Sequence, residues 1–496
     1  MNRLLLLFIF FSQIIHGQYW YPDTSFGNSG KVINTSSTYL ATRIFFENNK
    51  YIVVQNLNEV ISYNYDGTIN TLFGVNGKTS LVFNSNLIEV KNAKVVNNSL
   101  YVFGRYGASN YTCVLYKMSL DGQLDSSFGT NGRVIIDFGS TTDALNDVAV
   151  LPNGSIFGLG YNNSNVVIAK WNSSGVLDTN FNGTGLKTFY FNNSTEIASG
   201  ASIHISGNEF YIIGISRFQN FKYLSVAKVD LNMDPVTTFG TNGLLNQVLG
   251  NPTDITSYTL RGSNLINNEM LYFTLFEASS FSSQDHYLGK LNINTGTFIK
   301  HFIYLPYSNP CFEVLSDNSI YTSGFNRCSG SSGNCDRDYL IYKKTPTGVA
   351  DLTYNQTGMF SYDFFPSDAI SDDVSTAFYV HNDGKIVIGG KIYNPFTTGG
   401  SGMTLLRIVE SPLSNSNLTQ AQFTVFPNPV KDFFFIQNKE NESVNEVRIL
   451  NPLGNCVIAL HSVDSNSVDI SHLNPGVYFV YIKTNSNAEF VKIIKN

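Results

Sequence analysis

Hydrophobic positions along this chain come in short bursts, and from residue 18 onward the bursts read as β-strands. The stretch after Phe128 shows the pattern. Arg133–Phe138, Asp147–Leu151, Ser155–Gly160 and Asn165–Trp171 are runs rich in β-branched and aromatic residues, with polar turns such as Pro152-Asn153-Gly154 between them. Asn153-Gly154 and Asp383-Gly384 are dipeptides favoured in two-residue hairpins, since both residue types tolerate positive φ. No stretch of the array carries the 3.6-residue period of a helix. The one long apolar burst stands at the start, where Leu4 to Ile15 follows Arg3 and precedes the small residue Gly17. That order predicts a secretory signal peptide over residues 1–17, cleaved before Gln18 and too short for a comfortable membrane span. No later burst approaches the ~18 unbroken apolar residues of a membrane helix, so no transmembrane helix is expected in the mature chain.

A repeat organises the bursts. Its best copy is Leu120-Asp121-Gly122-Gln123-Leu124-Asp125-Ser126-Ser127-Phe128-Gly129-Thr130-Asn131-Gly132, with others at Asp23–Gly30, Tyr65–Gly77, Asp178–Gly185 and Thr237–Gly243. Gly67, Gly122 and Gly175 each lie six residues before their phenylalanine, and the same offset links Gly296 to Phe302 and Gly348 to Tyr354. The anchors are therefore Phe26, Phe73, Phe128, Phe181, Phe239, Phe302 and Tyr354, about 55 residues apart on average, a period typical of propellers, solenoids or arrays. Four strands per unit match a propeller blade. Each anchor is the one large apolar residue in a polar stretch, which suits a plug between adjacent units. Asp121 or Asp125 is expected to accept backbone N–H groups in an Asx turn. Calcium is the alternative cofactor, although the dense alternating carboxylates of calcium loops are missing.

Composition narrows the partners. A formal charge of −6 with no basic stripe argues against nucleic acid. Five cysteines are too few for a disulfide scaffold, but Cys328 and Cys335 flank a Ser/Gly-rich segment and form the candidate disulfide of an oxidising compartment. No closely spaced Cys or His pair completes a zinc set. No nucleophile elbow, zinc-protease helix or phosphate loop occurs, so no catalytic residue can be named. Asp254, Asp285, Asp336 and Asp363 lie near turns and could converge in a central funnel, although solvated loop positions are the commoner role for such residues.

The run Leu120 to Val134, with Val380–Gly390 as its partner signature, resembles the bacterial delta-60 repeat. The resemblance covers most of residues 18–410 and implies a propeller-like array in an exported protein, with no established activity. For closure, the strand candidate Lys31–Ile33 is expected beside Leu405–Ile408, because the last unit lacks a fourth strand and the first has one to spare.

Composition shifts after Ile408. Residues 410–420 read as a polar linker, and 421–496 as a small β-sandwich of strands separated by Pro/Gly turns. Phe426-Pro427-Asn428-Pro429, the turn ending at Gly454, Pro475-Gly476-Val477-Tyr478 and the basic tail Lys492 to Lys495 resemble the type A C-terminal sorting domain of the type IX secretion system. That resemblance implies the type IX machinery as partner, then release or attachment at the outer-membrane surface of a Gram-negative bacterium. The expectation is an all-β chain: a signal peptide, a seven-bladed β-propeller over 18–409 and the sorting sandwich. Its role would be binding or adhesion to an extracellular ligand, glycan or protein. The alternative is a secreted glycan lyase or hydrolase with its site in the central funnel.

Overall fold

The computed structural model describes residues 19–37, 39–82, 88–107, 110–163, 165–192, 197–250, 255–279, 284–305, 307–325, 337–365, 372–393, 401–410, 423–438, 443–451, 456–461, 467–484 and 488–496. The predicted signal peptide (1–17), most of the linker and the Cys328/Cys335 pair lie outside the described residues. The chain is all-β and divides into two compact units between Ser411 and Pro412.

In the first unit the described residues form seven small antiparallel sheets. The third is representative: Ala144–Val150, Ile156–Asn162, Asn165–Trp171 and Leu186–Phe189 pair in sequence order. The first strands of the seven sheets are Ala41–Glu47, Ile88–Val96, Ala144–Val150, Ile197–Ser206, Ser257–Ile266, Tyr307–Val314 and Val374–Val380. Each packs against the next, and Val374–Val380 packs in turn against Ala41–Glu47. The repeat motif is the loop between the third and fourth strands, where its glycines take positive φ and turn the chain within a few residues.

The cores lie between sheets, not within them. Phe73 sits with Ile52, Val54, Val102 and Val114 between sheets one and two. Phe128 joins Phe103, Leu115 and Val148 across the next junction, and Phe181 joins Phe157, Ile203 and Ile212 across the one after. Phe239, Phe302 and Tyr354 occupy the following three, and Phe26 closes the series with Tyr51, Val53, Val387 and Leu405 of sheets one and seven. The plug expected of each anchor is thus its observed place.

Sheet seven takes its outer strand from the start of the chain. Lys31–Asn34 pairs antiparallel with Ser401–Glu410, with Lys31 opposite Leu406 and Val32 opposite Leu405, as expected. An unforeseen second piece, Trp20–Pro22, pairs further along the same strand, with Tyr21 opposite Val409. The motif loop separates the two pieces.

The second unit has two sheets. Phe423–Phe426, Phe433–Asn438 and Ser467–Asp469 form one. Cys456–His461, Glu446–Leu450, Gly476–Lys483 and Ala488–Lys495 form the other. Phe423, Phe434, Ile436, Val447, Ile449, Val480 and Ile482 share one core between them. The strand Cys456–His461 was not expected from sequence, and only its alternate residues Ile458 and Leu460 turn towards the core.

Candidate functional site

The motif loop has one backbone geometry in six of its seven copies. The anchor N–H donates to the carbonyl three residues back, at 2.9 Å for Phe26, Phe128, Phe181, Phe239 and Tyr354 and at 3.0 Å for Phe73. The closing glycine then donates to the anchor carbonyl, as Gly132 does to Phe128 at 3.0 Å. Asp125 accepts from the Ser127 N–H at 3.1 Å, the expected Asx turn, and pairs with Lys117 at 2.8 Å. Asp178 with Lys170 and Asp351 with Lys343 repeat that ion pair. Asp121 instead pairs with Lys50. Asp125, Asp178 and Asp351 therefore serve their own units, while Asp121 reaches across a junction.

Each anchor of the first units rests on a glycine of the next. A Cβ added to Gly122 (φ +78°) would lie 2.6 Å from the Phe73 ring, and one on Gly67 or Gly175 would lie 3.0 or 2.9 Å from Phe26 or Phe128. Beside the ring, the N–H groups of Gly27, Gly74 and Gly129 donate across the junction to Asp66, Asp121 and Ser174 carbonyls at 2.6, 2.8 and 2.7 Å.

Two slots hold no glycine. Met233, six residues before Phe239, takes φ +61° and is buried with Phe181. Trp20, six residues before Phe26, stacks 4.7 Å from Tyr354, and its backbone N–H donates to Asn355. The six-residue offset, freed from the requirement for glycine, would have found both.

Sequence reasoning also missed Arg407, which is completely buried at the junction of sheets seven and one. Its Nε donates to Asp23 at 2.9 Å, its Nη2 to Ser25 at 3.0 Å, and its Nη1 to the Tyr51 hydroxyl and the Tyr65 carbonyl. The guanidinium also lies 4.7 and 4.4 Å from the Phe26 and Tyr65 rings. Burial works to raise the Asp23 carboxyl, but hydrogen bonds from Ser25 and the charge of Arg407 outweigh it and hold it below the usual value. His381, 2.8 Å from the Tyr51 hydroxyl, is held at about 4, chiefly by burial and further by Arg407 and Lys385.

Polar contacts link the first strands. Thr376 donates to the Ala41 carbonyl, Arg43 to Asn92 and Lys94 to Asp147, which accepts from the Ile203 N–H, and His204 meets Ser263. Of the four aspartates that could converge in a funnel, the two described ones belong to different sheets. Asp285 lies on the third strand of its sheet and Asp363 follows a fourth strand, while Asp254 and Asp336 lie outside the described residues. Among the described residues no group of three or more His, Cys, Asp or Glu could hold a metal ion. Cys113, Cys311 and Cys456 are free thiols.

Phe239 and Phe302 are the two anchors left half-buried. Phe302 lies within a continuous strand, Phe298–Leu305, with the motif loop reduced to an irregularity opposite Gly289. At the junction before it, Gly296 stands clear of Phe239. A groove of about 460 Å³ opens there, lined by Tyr211, Lys228, Phe239, Leu245, Asn294 and Thr295 among others.

In the second unit the Pro427-Asn428-Pro429 turn fastens the last strand. Asn428 donates from Nδ2 to the Lys492 carbonyl at 2.8 Å and accepts the Ile494 N–H at 2.9 Å. Val430 and Asn496 extend this pairing by two backbone bonds. Lys495 is buried and donates to the Asn496 carbonyl, whereas Lys492 is exposed. The Tyr478 hydroxyl donates to the Asn474 carbonyl at 3.0 Å. A Cβ on Gly476 would meet only the Tyr478 ring at 3.9 Å, so strand geometry does not demand glycine there. Gly454 lies outside the described residues.

No curated protein matches the chain. Among solved structures, a computationally designed protein is similar at 11% identity and TM-score 0.34, over 74% of this chain and 96% of its own. The extracellular domain of a hybrid two-component system of B. thetaiotaomicron is similar at 10% identity and TM-score 0.25, over 94% and 69%. The WD40 domain of SCAP from fission yeast stands at 10% identity and TM-score 0.32, over 74% and 84%. Residues 424–496 match the family described as the secretion system C-terminal sorting domain, and with that match the chain carries a type IX sorting signal that directs it to the cell surface or the medium.

Proposed function

We propose that the first unit is a closed seven-bladed β-propeller of delta-60-like repeats, exported behind the leader at residues 1–17, and that it works outside the cell as a binding or adhesion module. Adjacency that passes through all seven sheets and returns to the first supports closure, as do seven inter-sheet cores each holding one anchor. The observation that carries the binding role is the groove beside Phe239, where an aromatic anchor stays partly exposed next to Asn294 and Thr295. Aromatic faces flanked by amides and hydroxyls match the two surfaces of a sugar ring, so a glycan is the favoured ligand.

Two measurements test the proposal. Deleting residues 423–496 should leave the chain in the periplasm of a host with type IX secretion. Appearance of the deleted chain outside the cell would refute the export reading. The mature chain on a glycan array should capture a ligand in a manner lost with Phe239→Ala. Turnover of a captured glycan would replace binding by catalysis, and capture indifferent to Phe239 would move the site elsewhere.

A further inference from the structure

The second unit exposes aromatic rings on both of its sheets, and the two sets differ. On the four-stranded sheet every exposed ring has a charged neighbour. Phe479 stands opposite Lys492, and Tyr481 packs 4.9 Å from Phe490 with the Arg448 guanidinium 6.0 Å above it. Arg448 is in turn paired with Glu446. Charges in that arrangement keep the face solvated.

The three-stranded sheet is different. Phe433-Phe434-Phe435-Ile436 alternates burial, so Phe434 and Ile436 enter the core while Phe433 and Phe435 point outward. Phe426 is the cross-strand partner of Phe435, with the rings 5.8 Å apart. These three phenylalanines are 46% (Phe426), 50% (Phe433) and 45% (Phe435) exposed. Phe433 stands opposite Asp469, the one charge among the strand partners of the stripe, while Phe435 stands between Phe426 and Ser467. Were water the only medium for this face, polar residues would be expected at the outward positions.

We infer that the Phe426–Phe433–Phe435 stripe is the surface by which the secretion machinery grips this domain. The inference rests on the reading of the second unit as a sorting domain, which requires that some protein of the machinery engage it. Three half-exposed rings offer roughly 300 Å². That is well short of the about 800 Å² per partner that a stable dimer buries, so a second copy of this chain is not the occupant. It suits the aromatic centre of a transient contact, in which a few large side chains carry most of the grip. The partner is accordingly a protein with an apolar concavity, released once the cargo has crossed. The Pro427-Asn428-Pro429 turn, which ties Phe426 to the last strand, holds the stripe in place.

The test uses the full chain in a type IX-proficient host. The triple variant Phe426→Ser, Phe433→Ser, Phe435→Ser should lose at least tenfold in export and accumulate in the periplasm. Phe479→Ser with Phe490→Ser on the other sheet should export as the parent does. Because the stripe is exposed, the purified triple variant should keep the parent's unfolding midpoint. Should it not, the single variant Phe433→Glu, at the most exposed position, takes its place with the same expected loss. Normal export of the folded stripe variant, while deletion of 423–496 blocks export, overturns this inference alone. Normal export of the deletion overturns the sorting reading itself. Stripe-dependent dimers in sedimentation, or stripe-dependent binding to phosphatidylcholine vesicles, would also overturn it by naming a different occupant.

Discussion

The junctions around sheets one to three and those around sheets four to six solve the same packing problem differently. In the first group the anchor is fully buried, a glycine of the next unit lies beneath it, and a backbone N–H crosses the junction. In the second group Phe239 and Phe302 are half-buried, Gly296 stands away, and the fourth strands lengthen. Leu244–Gly250 has seven residues and Phe298–Leu305 eight, against three in Lys78–Ser80 and four in Arg133–Ile136. Where side-chain packing across the junction weakens, ladder hydrogen bonds within the sheet take over part of the work, each contributing about 1 kcal/mol net. The loop geometry survives at Phe239 despite the longer strand that follows it, and is lost only at Phe302, where the strand runs through the anchor.

The largest test of the tight group concerns Arg407. Arg407→Met strands the buried Asp23 carboxylate and should cost about 3–5 kcal/mol in denaturant unfolding, part of it recovered when Asp23→Asn is added. Its pH signature is distinct. His381 has a lowered pKa in the fold, so the unfolded chain takes up its proton first, and stability should fall as pH drops from about 6.5 towards about 4. The Asp23 contribution persists below that window, being lost only as pH falls through its depressed folded value. An Arg407→Met chain as stable as the parent would remove the special status of this junction.

The next comparison is between anchors. Phe128→Ala, in a sealed core, should cost about 3–5 kcal/mol, and Phe239→Ala clearly less, because part of that ring's surface is never withdrawn from water. Equal losses would dissolve the distinction between the two groups. The smallest expected difference lies in the glycines. Gly122→Ala meets the Phe73 ring at 2.6 Å on top of an unfavourable φ, whereas Gly296→Ala meets nothing nearer than 3.9 Å and should cost about 1 kcal/mol from backbone conformation alone. Unfolding midpoints of the pair, measured side by side, should rank Gly122→Ala as the more damaging.

The legible part of the fold came from local signals. Alternating runs between Asn-Gly and Asp-Gly turns marked the strands, and the Gly-to-Phe offset marked the loops, because strand period and positive φ are properties of a few consecutive residues. The spare strand Lys31–Asn34 could be assigned to Leu405 and its neighbours because a unit was visibly missing a strand. In the sorting domain Pro427-Asn428-Pro429 was legible as a turn, but its purpose, two hydrogen bonds to the final strand, was not. The strand Cys456–His461 stayed hidden because only two residues, Ile458 and Leu460, carry its inward face, too short an alternation to read.

What the sequence determined by itself was the all-β class, the repeated anchors and the sorting tail, each written in short local motifs. Only the tertiary structure decided that Trp20 covers Tyr354, that Met233 fills a glycine slot, and that Arg407 meets Asp23 across 384 residues of chain. It also decided that Phe433 and Phe435 face outward. The reason is physical. A turn or a strand is selected by the dihedral preferences of neighbouring residues, whereas the partner of a buried charge or ring is selected by which surfaces happen to meet once all seven sheets have assembled.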